Sequence, residues 1–180
     1  MGRRRVLSLL VVLLLISTSV VHAQQTPDSQ PSSSQSRVGI DSLYPDPVLT
    51  PGAVFDGVTA DQVCVAGYSS SVRDVSSGER SQVYAEYGIV DMPGADEVDH
   101  YIPLELGGSN DIANLWPEPY EAPGAHEKDR VENYLHDQVC SGALALGDAQ
   151  QMILGDWYAV YMNLPESASV PTTSVVPQDT

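Results

Sequence analysis

The sequence predicts an α+β fold in which two short strands, joined by a glycine-rich turn, are flanked by helices. Three observations lead there. Val98-Asp99-His100-Tyr101-Ile102 sits in a short strand-like run over residues 97–102 that Pro103 ends. Gly107-Gly108-Ser109-Asn110-Asp111 is a dense turn signal, followed by a second short run over 113–116 that Pro117 and Pro119 stop. Past Pro123-Gly124 the apolar spacing becomes helical, with Val131, Leu135 and Val139 at i, i+4 and i+8.

The remaining elements follow in chain order. Prolines interrupt 43–51, which reads as extended chain. Thr59 caps a helical turn over Ala60-Asp61-Gln62. Residues 67–73 read as loop. Residues 81–90 fit a helix face through Val83, Tyr84 and Tyr87 or a strand through Val83, Ala85, Tyr87 and Ile89, and Gly88 favours a short helix ending there. The helix over 125–139 is followed by Gly142, as a helix end should be. A second helix opens at Asp148, with Gln151 in the capping-box position and Ile153, Trp157, Val160 and Tyr161 as its apolar stripe, and Pro165 closes it. No internal repeat is visible.

Arg3-Arg4-Arg5, an apolar run to Ile16 and the small-residue sequence Val21-His22-Ala23 read as a secretory signal peptide over 1–23. A flexible Gln/Ser/Pro linker over 24–37, one folded domain over 38–164 and a loose tail over 165–180 complete the expected organisation. The protein is then secreted or periplasmic, without stable membrane association once the leader is gone. Removal of three leader arginines takes the formal charge from −16 to −19. Such acidity keeps an exported protein soluble and repels polyanions. Two cysteines, Cys64 and Cys140, are expected to pair in an oxidising compartment, contributing roughly 4 kcal/mol in the chain-entropy picture.

The chemistry-bearing residues fall in the strand-turn-strand-helix segment. Hydrolysis of a phosphodiester needs a base to take a proton from water, a cation for the developing charge, and groups that aim the base. His100 suits the base, and Asp99, on the opposite face of the strand, suits a metal. Asn114 can reach back across the turn, and His126 at the helix start can supply a second metal ligand. Taken singly, each has a plainer reading: a surface hydrogen bond, a turn residue, an exposed helix residue. Their joint order carries the case.

Asp99-His100-x-Ile102-Pro103-Leu104, Gly107-Gly108 and Asn114-Leu115, followed by a helix bearing His126, resembles the HNH endonucleases of the ββα-metal superfamily over residues 97–137. A wider set, including Gly67-Tyr68, Arg73, Tyr87-Gly88, Trp116-Pro117-Glu118-Pro119, Lys128-Asp129-x-x-Glu132 and Asp156-Trp157, is similar to small exported bacterial HNH-type proteins. The resemblance implies a ββα-metal core with added helices, His100 as general base, Asn114 as support for fold and base, and Asp99 and His126 as ligands of one divalent ion, Mg²⁺ before Mn²⁺ or Zn²⁺. Glu127, Lys128 or Asp129 would stand in for His126 if it fails.

The implied partner is nucleic acid, DNA before RNA, met by Lys128, Arg130 and Arg73, and the implied activity is metal-dependent, largely nonspecific endonuclease cleavage, which the acidic charge is expected to make weak and dependent on ionic strength. His136 is expected to be exposed or structural. Two alternatives carry different expectations: an inactive binding module that uses Trp116, Tyr120 and Tyr134 as its surface, and a hydrolase of smaller phosphoesters.

Overall fold

Two short antiparallel strands form the only regular sheet among the described residues, β1 (Asp96–His100) and β2 (Leu115–Pro119), with Asp99 opposite Trp116 and His100 opposite Leu115. This computed structural model describes residues 43–168. The expected leader and linker, and most of the expected tail, lie outside them. Among the described residues no helix is long and apolar enough to cross a membrane.

The second strand runs through the two prolines expected to stop it. Pro117 faces Val98 and Pro119 faces Asp96, two residues apart, so both proline nitrogens lie on the same edge of the strand. A two-stranded sheet leaves one edge of each strand unpaired, and a residue lacking an N–H is tolerated there. Three helices precede the sheet: α1 (Ala60–Val63), α2 (Tyr68–Val72) and α3 (Ser77–Glu86). Gln62 accepts from the Thr59 backbone N–H, which supports the expected helix start. Residues 68–72 are helical where a loop was expected. Helix α3 begins four residues before residue 81, because Ser76 and Glu79 form a reciprocal capping box. Gly88, at φ +65°, follows its end.

After β2 come α4 (Ala125–Cys140) and α5 (Leu146–Met162), which pack on each other. Val131, Leu135 and Val139 are buried as their spacing predicts, against Ile153 and Trp157 of α5 and Leu115 and Trp116 of β2. Helix α5 starts before Asp148, so that residue is not its cap. Asp148 lies in the first turn, where a carboxylate favours the N-terminal end of the helix dipole. The expected disulfide is present. Cys64, just past α1, joins Cys140 at the end of α4 across 76 residues, with a Cα–Cα distance of 5.5 Å.

The link between β1 and β2 is folded on itself rather than open. It forms two single-turn 3₁₀ segments, Leu104–Leu106 and Ile112–Asn114. Gly108 is required there by close approach: a Cβ would lie 1.7 Å from the Ile102 carbonyl oxygen and 2.9 Å from Asn114 Nδ2.

Candidate active site

Asn114 holds that link together. Its side chain is fully buried. Oδ1 accepts from the backbone N–H of Ile102 at 2.9 Å and of Ala53 at 3.2 Å, and Nδ2 donates to the carbonyls of Ile102 and Ser109, both at 2.9 Å. Every hydrogen-bonding valence of the amide is used on backbone. Asn114 therefore supports the loop carrying the site and makes no side-chain bond to the His100 ring.

The His100 ring is held by a residue read from the sequence only as part of a turn. His100 Nε2 lies 3.0 Å from Asn110 Oδ1. The Asn110 amide is oriented by its own neighbours: Nδ2 donates to the Val72 carbonyl at 2.8 Å, and Oδ1 accepts from the Asp74 N–H at 3.3 Å. An oxygen thus faces Nε2, so Nε2 carries the proton and Nδ1 carries the lone pair. His100 is 1 % exposed, and Nδ1 is buried without a hydrogen-bond partner, 4.0 Å from Asp99 Oδ1. Burial pushes the imidazole pKa below its ordinary value, against the opposing pull of Asn110 and Asp99. The ring is consequently a neutral base with its acceptor atom next to a carboxylate.

Asp99 departs from its expected role. Its Oδ2 accepts from Lys128 Nζ at 2.8 Å. Lys128 is the only lysine in the chain, and it is fully buried. Its ammonium also donates to the His100 carbonyl at 3.0 Å and to Glu132 Oε1, and lies 3.4 Å from Glu118 Oε2. Lys128 and Glu132 share a helix face at i, i+4, and Glu118 comes from β2. Lys128 therefore cannot serve as a substrate contact. Its long side chain fills the core beneath β1 instead.

The three acids around one ammonium are shifted in opposite directions. Burial would raise Asp99, but the charge of Lys128 and hydrogen bonds from Glu118, Lys128 and the His100 backbone hold it at about 2. Burial drives Glu132 up to about 8, with Lys128 opposing. Burial also raises Glu118 well above the usual carboxylate range, and its bond to the Asp99 carboxylate raises it further. Desolvation would lower Lys128, yet Asp99, Glu118 and Glu132 together raise it. Burial thus pushes Glu118 and Glu132 toward their neutral forms, while the ammonium keeps Asp99 ionised.

His126 is not gathered with Asp99 and His100. It is exposed, and its ring lies 5.7 Å from that of Tyr120. Two residues along an α-helix turn by roughly 200°, so with Lys128 pointing into the core His126 points away from it. Among the described residues the one set of three potential metal donors within 4.8 Å of one another is Cys64, His136 and Cys140, and those sulfurs are bonded to each other. His136 Nε2 lies 3.1 Å from the Val63 carbonyl and 3.3 Å from Cys140 Sγ, a structural position. The divalent ion implied by the resemblance does not fit the residues present. Asp99 is engaged by an ammonium, and its expected partner faces elsewhere. Asp129, on the same turn as His126, is close enough to Asp99 for their charges to act on each other, but completes no such set.

The cations divide sharply. Arg80 pairs with Asp91 at 3.2 Å. Arg130 is half-buried, stacks over Tyr161 and bonds its hydroxyl at 3.2 Å, so it secures α4 to α5 and does not offer itself to substrate. Arg73 is exposed and makes no ion pair among the described residues. It lies between Val72 and Asp74, the two residues that clamp Asn110, and its charge acts on His100. Beside Asn110 opens a cleft of about 510 Å³ lined by Asp56, Asp74, Glu79 and Asp111, a surface that repels phosphate. Trp116 is buried and no part of a contact surface.

Comparison with known proteins finds no family model, no curated protein and no solved structure that matches the chain.

Proposed function

We propose that the chain is an exported HNH-type phosphodiesterase, a nuclease of low sequence preference, with His100 as general base. One observation carries the reading: the orientation of Asn110 leaves His100 neutral with an unshared pair at buried Nδ1, beside Asp99. In the step proposed, a water oxygen forms a bond to phosphorus, its proton passes to Nδ1, and the bond from phosphorus to the leaving sugar oxygen breaks. Arg73 meets the phosphate. Asn110 is a positioning residue, and Asn114 maintains the loop that carries it. The disulfide suits an oxidising compartment, in keeping with export. A net charge of −16 repels DNA, so cleavage is expected to strengthen with added salt until Arg73 is itself screened.

The test incubates the protein with plasmid and single-stranded DNA in Mg²⁺, Mn²⁺, Zn²⁺ or chelator, at low and high salt, beside His100→Ala. Cleavage by the wild type alone supports the proposal. Cleavage that survives in the variant, or none under any condition, overturns it. The second outcome favours the other reading, a binding module on the same framework. The near-complete burial of His100 favours that reading, and its surface would comprise Tyr120 and Tyr134 without Trp116.

A further inference from the structure

We propose that the ammonium of Lys128 is the permanent cation of this site, standing among Asp99, Glu118, Glu132 and the His100 carbonyl where a divalent ion would be needed, so that the folded chain takes no divalent ion at Asp99. The inference concerns the site proposed above, but it is tested without nucleic acid.

Four oxygens from three elements surround one nitrogen: Asp99 Oδ2 at 2.8 Å and the His100 carbonyl at 3.0 Å from β1, Glu118 Oε2 at 3.4 Å from β2, and Glu132 Oε1 from α4. This is the donor type that a hard divalent ion selects, carboxylate and carbonyl oxygen. An ion bound at Asp99 would have to share these oxygens with a charge of the same sign a few ångströms away, or displace a fully buried ammonium. The helix geometry makes the substitution legible. Position 126 turns its imidazole outward against Tyr120, and position 128, on the inward face, delivers the cation. The chain has 24 acidic residues and one lysine, and it places that lysine here.

Lys128 is a positioning residue in this account. It ties the backbone of His100 and the side chain of Asp99 to α4, which fixes the ring and the neighbouring carboxylate together. Any hydrolysis is then insensitive to chelators.

The experiment titrates Mn²⁺ and Mg²⁺ into the full chain by calorimetry, and follows thermal unfolding in either ion or in chelator at constant ionic strength. The proposal expects no saturable site in the wild type and a midpoint unchanged by chelator. Lys128→Ala, which opens a space lined by three carboxylates, is expected to unfold at lower temperature and to recover part of the loss with Mn²⁺. Lys128→Met, which fills the space with apolar atoms, is expected not to respond. A stoichiometric site in the wild type that Asp99→Asn abolishes overturns the proposal, and that arm stands even if neither Lys128 variant folds. A folded Lys128→Ala that takes up no ion overturns it too. Failure to cleave DNA would sink the nuclease reading and leave these results as they stand.

Discussion

The strand-turn half of the site and its helical half are built on opposite terms. Between β1 and β2 one amide, Asn114, makes four hydrogen bonds to backbone and closes a loop whose tightness permits only glycine at 108. Where α4 meets the sheet, Lys128 and Glu132 form a cluster of charge with Asp99 of β1 and Glu118 of β2, in which burial pushes the two glutamates up while the ammonium holds Asp99 low. The first half is held by neutral hydrogen bonds and the second by charge balance. Backbone hydrogen bonding gives the loop one shape across a wide pH range, whereas the charge cluster ties the helix to β1 only within limits of pH.

The largest effect expected is at the charge centre. Lys128→Met leaves three carboxylates without their cation and should lower stability by about 3–5 kcal/mol, read by urea denaturation. Asn114→Ala strands four backbone groups in the neutral half and should lose about 2–4 kcal/mol by the same measurement. Comparable losses that vary with pH only for Lys128→Met would sharpen the contrast. Equal pH dependence in the two variants would break it.

Next in size is the pH profile itself. The unfolded chain releases the Glu118 and Glu132 protons near the ordinary carboxyl value of 4.5, whereas the folded chain keeps that of Glu132 until about 8. The folded state then binds more protons, so this contribution to stability is whole below pH 4.5 and is lost as pH rises to about 8. Asp99 acts in the opposite sense: its contribution is present above its ordinary value of 3.8 and disappears as pH falls toward about 2. Denaturation midpoints measured across pH 4–9 should fall toward the alkaline end, and Glu132→Gln should flatten that fall.

Asn110→Ala should cost only about 1 kcal/mol of stability but free the His100 ring, lowering cleavage by about tenfold, less than the loss of about 100-fold or more expected for His100→Ala. Arg73→Ala should leave stability within about 0.5 kcal/mol and reduce the salt slope of DNA binding by about 1. The smallest effect belongs to His126→Ala, expected to change neither stability nor cleavage measurably.

Much of the fold can be read from period and punctuation. Val131, Leu135 and Val139 define a helix face whatever surrounds them, and the Gly107-Gly108 pair marks the turn. The prolines of β2 mislead because their meaning depends on whether a strand edge is paired, which is a tertiary property. Within the site, the order Asp99-His100 to Asn114 draws attention to the right loop. Asn110 is hidden because a turn asparagine and an orienting amide look alike in sequence, and only the positions of Val72 and Asp74 separate them. His126 attracts attention as a ligand type. The helical phase relating it to Lys128 was available, but not which of the two faced inward. The pair Lys128 and Glu132, at i, i+4, could have signalled a charge link, though not one that also takes in Asp99 and Glu118.

The account rests most heavily on which nitrogen of His100 carries the proton. Long-range proton–nitrogen correlation spectra of the histidine rings, assigned with His100→Ala, report this at neutral pH. The account predicts a protonated Nε2 and a bare Nδ1 for His100, with the charged form appearing only below pH 6.5. A ring protonated at Nδ1, or one already charged at neutral pH, would contradict it.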